Sequence, residues 1–157
     1  MEKIEVRKIS EDEARGVFKQ LLIDHSDQFL QRFFRDAFQD EFNHIALPEK
    51  ERSYSVVSAN GFDEALFGIR EISDQPSVWS ISAMGRIIQK DKTEGWQYLK
   101  AILDFAIEGG VKIINATVND AGEKAFRELQ NNGGLQRNCR MEWSPRGDKK
   151  AVRLLME

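Results

Sequence analysis

One cysteine, three prolines and two histidines are spread over 157 residues. With Cys139 alone, an internal disulfide and a cysteine-based metal site are excluded, and a reducing cytoplasm is the natural home. His25 and His44 have no second ligand at a metal-like interval, so no metal is expected. No apolar run approaches the roughly 18 residues that cross a bilayer, and the start, Met1-Glu2-Lys3-Ile4-Glu5, lacks the apolar core of a signal peptide. No membrane partner is therefore expected. Charge of one sign is missing too. Lys and Arg total 23 against 26 Asp and Glu, a net charge of −3, without a nucleic-acid binder's positive excess or a long acidic tail. Apolar residues at 41% and charged residues at 31% give a globular composition, and the length suits one domain over 1–157 that buries about 70% of its unfolded surface.

Alternation at Ile4 and Val6 predicts a strand, and Ser10-Glu11-Asp12-Glu13 is a capping box that starts a helix with Val17, Phe18, Leu21 and Leu22 inward. A second helix opens near Ser26 or Asp27, with Phe29, Leu30, Phe33, Phe34, Ala37 and Phe38 at helical spacing, and a loop carrying Pro48 follows. Strands over 53–59 and 65–72 flank Asn60-Gly61, with a loop longer than a two-residue hairpin. Asp74-Gln75-Pro76 turns the chain into a long strand over 78–88. Helical periodicity resumes at Trp96, Leu99, Ile102, Leu103 and Ala106 and ends at Gly109-Gly110. Residues 112–118 form a buried strand. Asn119-Asp120 caps a helix with Ala121, Ala125, Phe126 and Leu129 inward, stopped by Asn131-Asn132-Gly133-Gly134. Cys139, Met141 and Trp143, a turn at Pro145-Arg146-Gly147-Asp148, and Val152, Leu154 and Met156 make a closing hairpin. The class is α/β or α+β, one mixed sheet with helices on both faces.

The strand over 78–88 leads into Lys92-Thr93-Glu94-Gly95-Trp96-Gln97 at a helix start. This resembles the R/Q-x-x-G-x-G/A segment of the GNAT superfamily of N-acetyltransferases, with Lys92 at the basic position, Gly95 at the first glycine and Gln97 at the second small position. Downstream, the interval from Asn119 to Phe126 is similar to that family's Asn-to-Tyr spacing, with Phe126 where Tyr is usual, and Gly133-Gly134-Leu135 follows like its G-F. The resemblance covers nearly the whole chain. It implies a GNAT-like, mostly antiparallel sheet with a central parallel pair that splays, acetyl-CoA or another acyl-CoA as cosubstrate, and an amine-bearing acceptor, small molecule or protein. Lys92, Thr93, Glu94, Gly95, Trp96 and Gln97 would hold the diphosphate, Ile87 and Ile88 would pair with pantetheine, and Asn119 with Phe126 would flank the thiol end. A homodimer is a further implication.

Physical chemistry supports the first of these roles, because a helix N-terminus offers unpaired N–H groups and a positive dipole end to an anion. Gln97 would crowd that approach. Phe126 cannot donate a proton, so a departing thiolate would leave unaided, which a thiol pKa near 8.5 permits. No carboxylate base lies on Ser80-Ile81-Ser82-Ala83-Met84-Gly85-Arg86, although Ser80 and Ser82 can order a water. Catalytic residues are thus unassigned, and a GNAT-like module that binds without catalysing is the alternative reading. The stripe Phe29, Phe33, Phe34, Phe38 and Phe42 is mostly core. Arg137, Arg140, Arg146, Lys149, Lys150 and Arg153 make the closing hairpin basic, which leaves a nucleic-acid partner open against the overall charge.

Overall fold

The computed structural model describes residues 4–24, 52–59, 61–71, 77–86, 94–135 and 138–156. The expected second helix with its phenylalanine stripe, together with His25 and His44, lies outside them. The chain divides into two compact units, Met1–Arg70 with Ser82–Asp91, and Glu71–Ile81 with Lys92–Glu157.

The first unit contains β1 (Ile4–Ile9), α1 (Glu11–Asp24), β2 (Arg52–Ala59) and β3 (Phe62–Glu71), followed by the later part of β4 (Val78–Arg86), in strand order β1-β2-β3-β4. β1 pairs antiparallel with β2 from Ile4↔Ala59 to Ile9↔Tyr54. The predicted helix start forms: Ser10 Oγ accepts the Glu13 N–H at 3.1 Å, and Glu11, Asp12 and Glu13 put negative charge at the positive end of α1. The Glu13 side chain does not close the box on the backbone as expected, because Arg7 of β1 takes it at 3.2 Å. Ala14 and Phe18 of α1 pack on Tyr54, Val56 and Leu66, with Ile9 and Val17 at the rim. Burying each large side chain there is worth about 1.5–3 kcal/mol.

The β2–β3 hairpin is tighter than the sequence predicts. β3 begins at Phe62, which pairs with Ala59, and not at Ala65. The polar pair Asp63-Glu64 breaks the apolar alternation that marks a strand, yet both residues belong to β3: Asp63 accepts from Ser58 Oγ and from Arg7 at 3.2 Å. Glu64 is the extra residue of a bulge, since Val57 pairs with Ala65 and Ser58 with Asp63. Gly61 has φ 85°, a conformation that suits a tight hairpin turn.

The second unit contains the start of β4, α2 (Gly95–Glu108), β5 (Ile113–Val118), α3 (Asp120–Asn131), β6 (Cys139–Arg146) and β7 (Lys149–Met156), in strand order β4-β5-β7-β6. β4 and β5 are parallel, from Val78↔Ile113 to Ile81↔Ala116, where the register stops although β4 continues to Arg86. Parallel neighbours need a crossover, and α2 supplies it. β7 pairs antiparallel with both β5 and β6.

Alternation assigns the faces. Trp79, Ile114, Ala116, Val152, Leu154 and Trp143 share one face by register. Both helices of this unit cover it: Phe105 of α2 meets Trp79 at 6.4 Å between ring centroids, and Phe126 of α3 meets Trp143 edge-on at 6.3 Å. Gly110, with φ 90°, carries the chain out of α2. The closing turn is shorter than predicted. Pro145 and Arg146 still pair with Lys150 and Lys149, and only Gly147 and Asp148 turn; Pro145 is tolerated because β6 is the outermost strand. The fold is the expected mixed sheet, mostly antiparallel with one parallel pair, plus helices.

Candidate functional site

Of the residues expected to hold the diphosphate, Glu94, Gly95, Trp96 and Gln97 are described; Lys92 and Thr93, and Ile87 and Ile88 on the expected pantetheine edge, lie outside the described residues. Glu94 is the N-cap of α2, with extended backbone at φ −80° and ψ 153°. Gln97 folds back rather than projecting outward. Its Oε1 accepts the Glu94 N–H at 2.8 Å, while its own N–H donates to the Glu94 carbonyl at 2.9 Å. The Trp96 indole N–H donates to the Glu94 carboxylate. The helix start is therefore self-capped, with a negative side chain at its positive end. Two donors remain, since among the described residues nothing accepts from the backbone N–H of Gly95 or Trp96. A Cβ built on Gly95 would meet nothing within 4 Å, so packing does not demand a glycine there, and the approach to its backbone is open.

Asn119 and Phe126 both have structural employment. Asn119 caps α3, its Oδ1 accepting the Gly122 N–H at 3.0 Å. Phe126 is 0% exposed, and the Arg127 guanidinium lies 4.4 Å over the ring of its partner Trp143. Glu123, one turn earlier, binds Arg127 at 2.8 Å and Lys150 of β7 at 2.9 Å. Hydrogen bonds from these two cations hold its carboxyl below the usual range. Part of the basic hairpin is thus spent inside the unit. Burial pushes the Cys139 thiol up, which keeps it protonated and agrees with a packing role. On β4, Ser82 Oγ is buried without a partner among the described residues, a polar atom suited to holding a water.

A groove of about 530 Å³ opens on the sheet face away from α2 and α3. Register places Ser80, Asn115, Arg153 and Glu142 in one row across β4, β5, β7 and β6, three strand spacings or about 14 Å long. Thr117, Ala151 and Ser144 form the next row. Arg153 Nε donates to Asn115 Oδ1 at 3.0 Å. Arg146 also lines the groove, and Glu142 pairs with Arg140 at 3.2 Å. Sequence reasoning names Ser80 as a residue that can order a water and Arg153 within the basic hairpin, but does not join them into a row; Asn115, a polar residue within an otherwise apolar strand start, is the member it leaves out. Among the described residues, no group of three or more His, Cys, Asp or Glu is placed to hold a metal, and no helix is long and apolar enough to cross a membrane.

No family model matches the chain, and no curated protein matches it. Solved structures do. An aminoglycoside acetyltransferase AAC(6')-Ib in complex with coenzyme A and kanamycin superposes at TM-score 0.62 with 11% identity, over 99% of this chain and 95% of that one. The Campylobacter jejuni N-acetyltransferase PseH gives 0.57 and 14%, over 98% and 99%. The GNAT domain of S. lividans PAT gives 0.59 and 16%, over 96% and 89%.

Proposed function

We propose that this chain, which has the fold of the GNAT N-acetyltransferases, is an acyl-CoA-dependent N-acyltransferase with acetyl-CoA as its donor. The observation that carries the reading is the likeness to N-acetyltransferases over almost the full length of both chains. Gly95 and Trp96 would offer their N–H groups to the diphosphate at the start of α2, with Lys92 and Thr93 beside them. Backbone groups at Ile87 and Ile88 would pair with the amide-bearing arm as an added strand does, and Asn119 would stand near the thiol end. The donor's thioester supplies the acyl group, and its thiolate, with a thiol pKa near 8.5, leaves without a protein acid. That fits Phe126, which has no proton to give. The acceptor amine would attack directly, and a water held by the Ser82 hydroxyl, which has no partner among the described residues, would take its proton.

Thermal unfolding with and without acetyl-CoA tests this reading, because a ligand at 100 times its dissociation constant stabilises by about 2.7 kcal/mol. Stabilisation that Gly95→Trp abolishes supports it. No shift at millimolar coenzyme refutes it. The second reading, a GNAT-like module that binds without catalysing, is favoured by the self-capped start of α2 and the buried Phe126; binding of acetyl-CoA with no acyl transfer to any amine would select it.

A further inference from the structure

We infer that the acceptor is a small amine that also carries a carboxylate, seated in the groove on β4, β5, β7 and β6 with its carboxylate on Arg153. This rests on the acyltransferase reading and adds the substrate class. Three observations carry it. First, the groove's formal charge is positive: Arg146 and Arg153 line it against Glu142, and Glu142 is already paired with Arg140. Second, Arg153 is oriented in advance. Its Nε is committed to Asn115, and among the described residues its two terminal nitrogens have no partner. A guanidinium held by one edge presents its remaining N–H groups as a fork, the geometry that takes a carboxylate in two parallel hydrogen bonds. Third, the same row ends at Ser80 on β4, one residue before the parallel register with β5 stops. The Arg153 backbone lies two strand spacings, about 10 Å, from β4, and the bond to Asn115 carries its guanidinium toward β5. About one strand spacing, roughly 5 Å, then separates a carboxylate on Arg153 from β4, a span that fits a small amino acid with its amine directed to β4.

The groove is mismatched to a polycation. An acceptor with several ammonium groups and no acid, such as the kanamycin in the AAC(6')-Ib complex, would place like charges against Arg146 and Arg153 with only an occupied Glu142 to offset them.

The test is acyl transfer from acetyl-CoA, followed by thiol release, to the twenty amino acids, to their carboxamides, to phosphoethanolamine and to kanamycin, with wild type, Arg153→Gln and Arg153→Lys. At least one free amino acid should be acetylated and its carboxamide used poorly. Arg153→Gln should raise KM for that amino acid about 10- to 100-fold, the loss expected for a charge-assisted hydrogen-bonded pair, with kcat little changed and the thermal shift with acetyl-CoA retained. Arg153→Lys should recover part of the loss. Preference for phosphoethanolamine would replace the carboxylate by a phosphate and overturn the assignment. So would preference for kanamycin or the carboxamides, or an unchanged KM in Arg153→Gln. Absence of any acetyl-CoA shift marks failure of the acyltransferase reading instead. In that case titration of the protein with the same amino acids and carboxamides decides the groove, and no Arg153-dependent shift by the acids overturns it as well.

Discussion

Phe126→Tyr is the perturbation that separates a residue facing the thioester from a residue of the core. Tyr is usual at this position in the GNAT pattern, so restoring it should help transfer if the ring reaches the donor's sulfur. The structure argues otherwise. Phe126 is 0% exposed, and its ring stands edge-on to Trp143 of β6 at 88° and 6.3 Å. A phenol oxygen added there must either displace packed atoms, at about 1–3 kcal/mol, or stay buried without a partner, at a similar cost. For a chain of this size each kcal/mol lowers Tm by about 2–4 °C, so a fall of about 2–12 °C is expected. Scanning calorimetry measures it, and thiol release measures the accompanying rate, which should not rise. An unchanged or higher Tm would refute the reasoning. The buried Trp143 Nε1, which has no partner among the described residues, would then have found the new oxygen. A higher rate would place the ring at the reacting centre.

Further perturbations follow from the same contacts. Glu94→Gln should tighten acetyl-CoA if the start of α2 binds the diphosphate, because the removed charge sits at the same helix end and repels it by up to about 1 kcal/mol in water and more in a lower dielectric; calorimetric titration at low and high salt checks both the gain and its screening. Gly134→Ala should lower Tm by about 2–12 °C, as its Cβ would fall 2.5 Å from Leu129 Cδ1 and 3.1 Å from the Leu129 carbonyl, and Leu129 is too buried to yield. Glu123, whose carboxyl is held down by Arg127 and Lys150, stabilises the ionised native state above its ordinary value of about 4.3. That contribution disappears as pH falls through the lowered native value. Glu123→Gln should therefore be less stable than wild type at pH 7, and the gap in Tm should close on acidification.

Local chemistry made much of the fold legible. Ser10 and Asn119 cap their helices through the hydroxyl and amide that mark them, Gly109-Gly110 ends α2, and period-two alternation places β6 and β7 within a residue or two of their ends. These signals fail where a polar residue is used inside an element. Asp63 and Glu64 hide the start of β3, because the partners of Asp63, Ser58 and Arg7, are contributed by other strands. Gln97 reads as an obstruction to a ligand, and only its bond to the Glu94 N–H shows it capping its own helix.

By itself, the sequence determined the kinds of element, their order and which side of each is apolar, since those depend on neighbours within one turn or one pleat. Tertiary structure decided the rest. Nothing local states that β7 lies between β5 and β6, and that insertion is what brings Arg153 onto Asn115, 38 positions away along the chain. Phe126 carries the spacing of a site residue, and only tertiary structure shows its ring buried against Trp143. A functional row across a sheet exists only once register is fixed, and register is set by burial of the opposite face rather than by the residues that form the row.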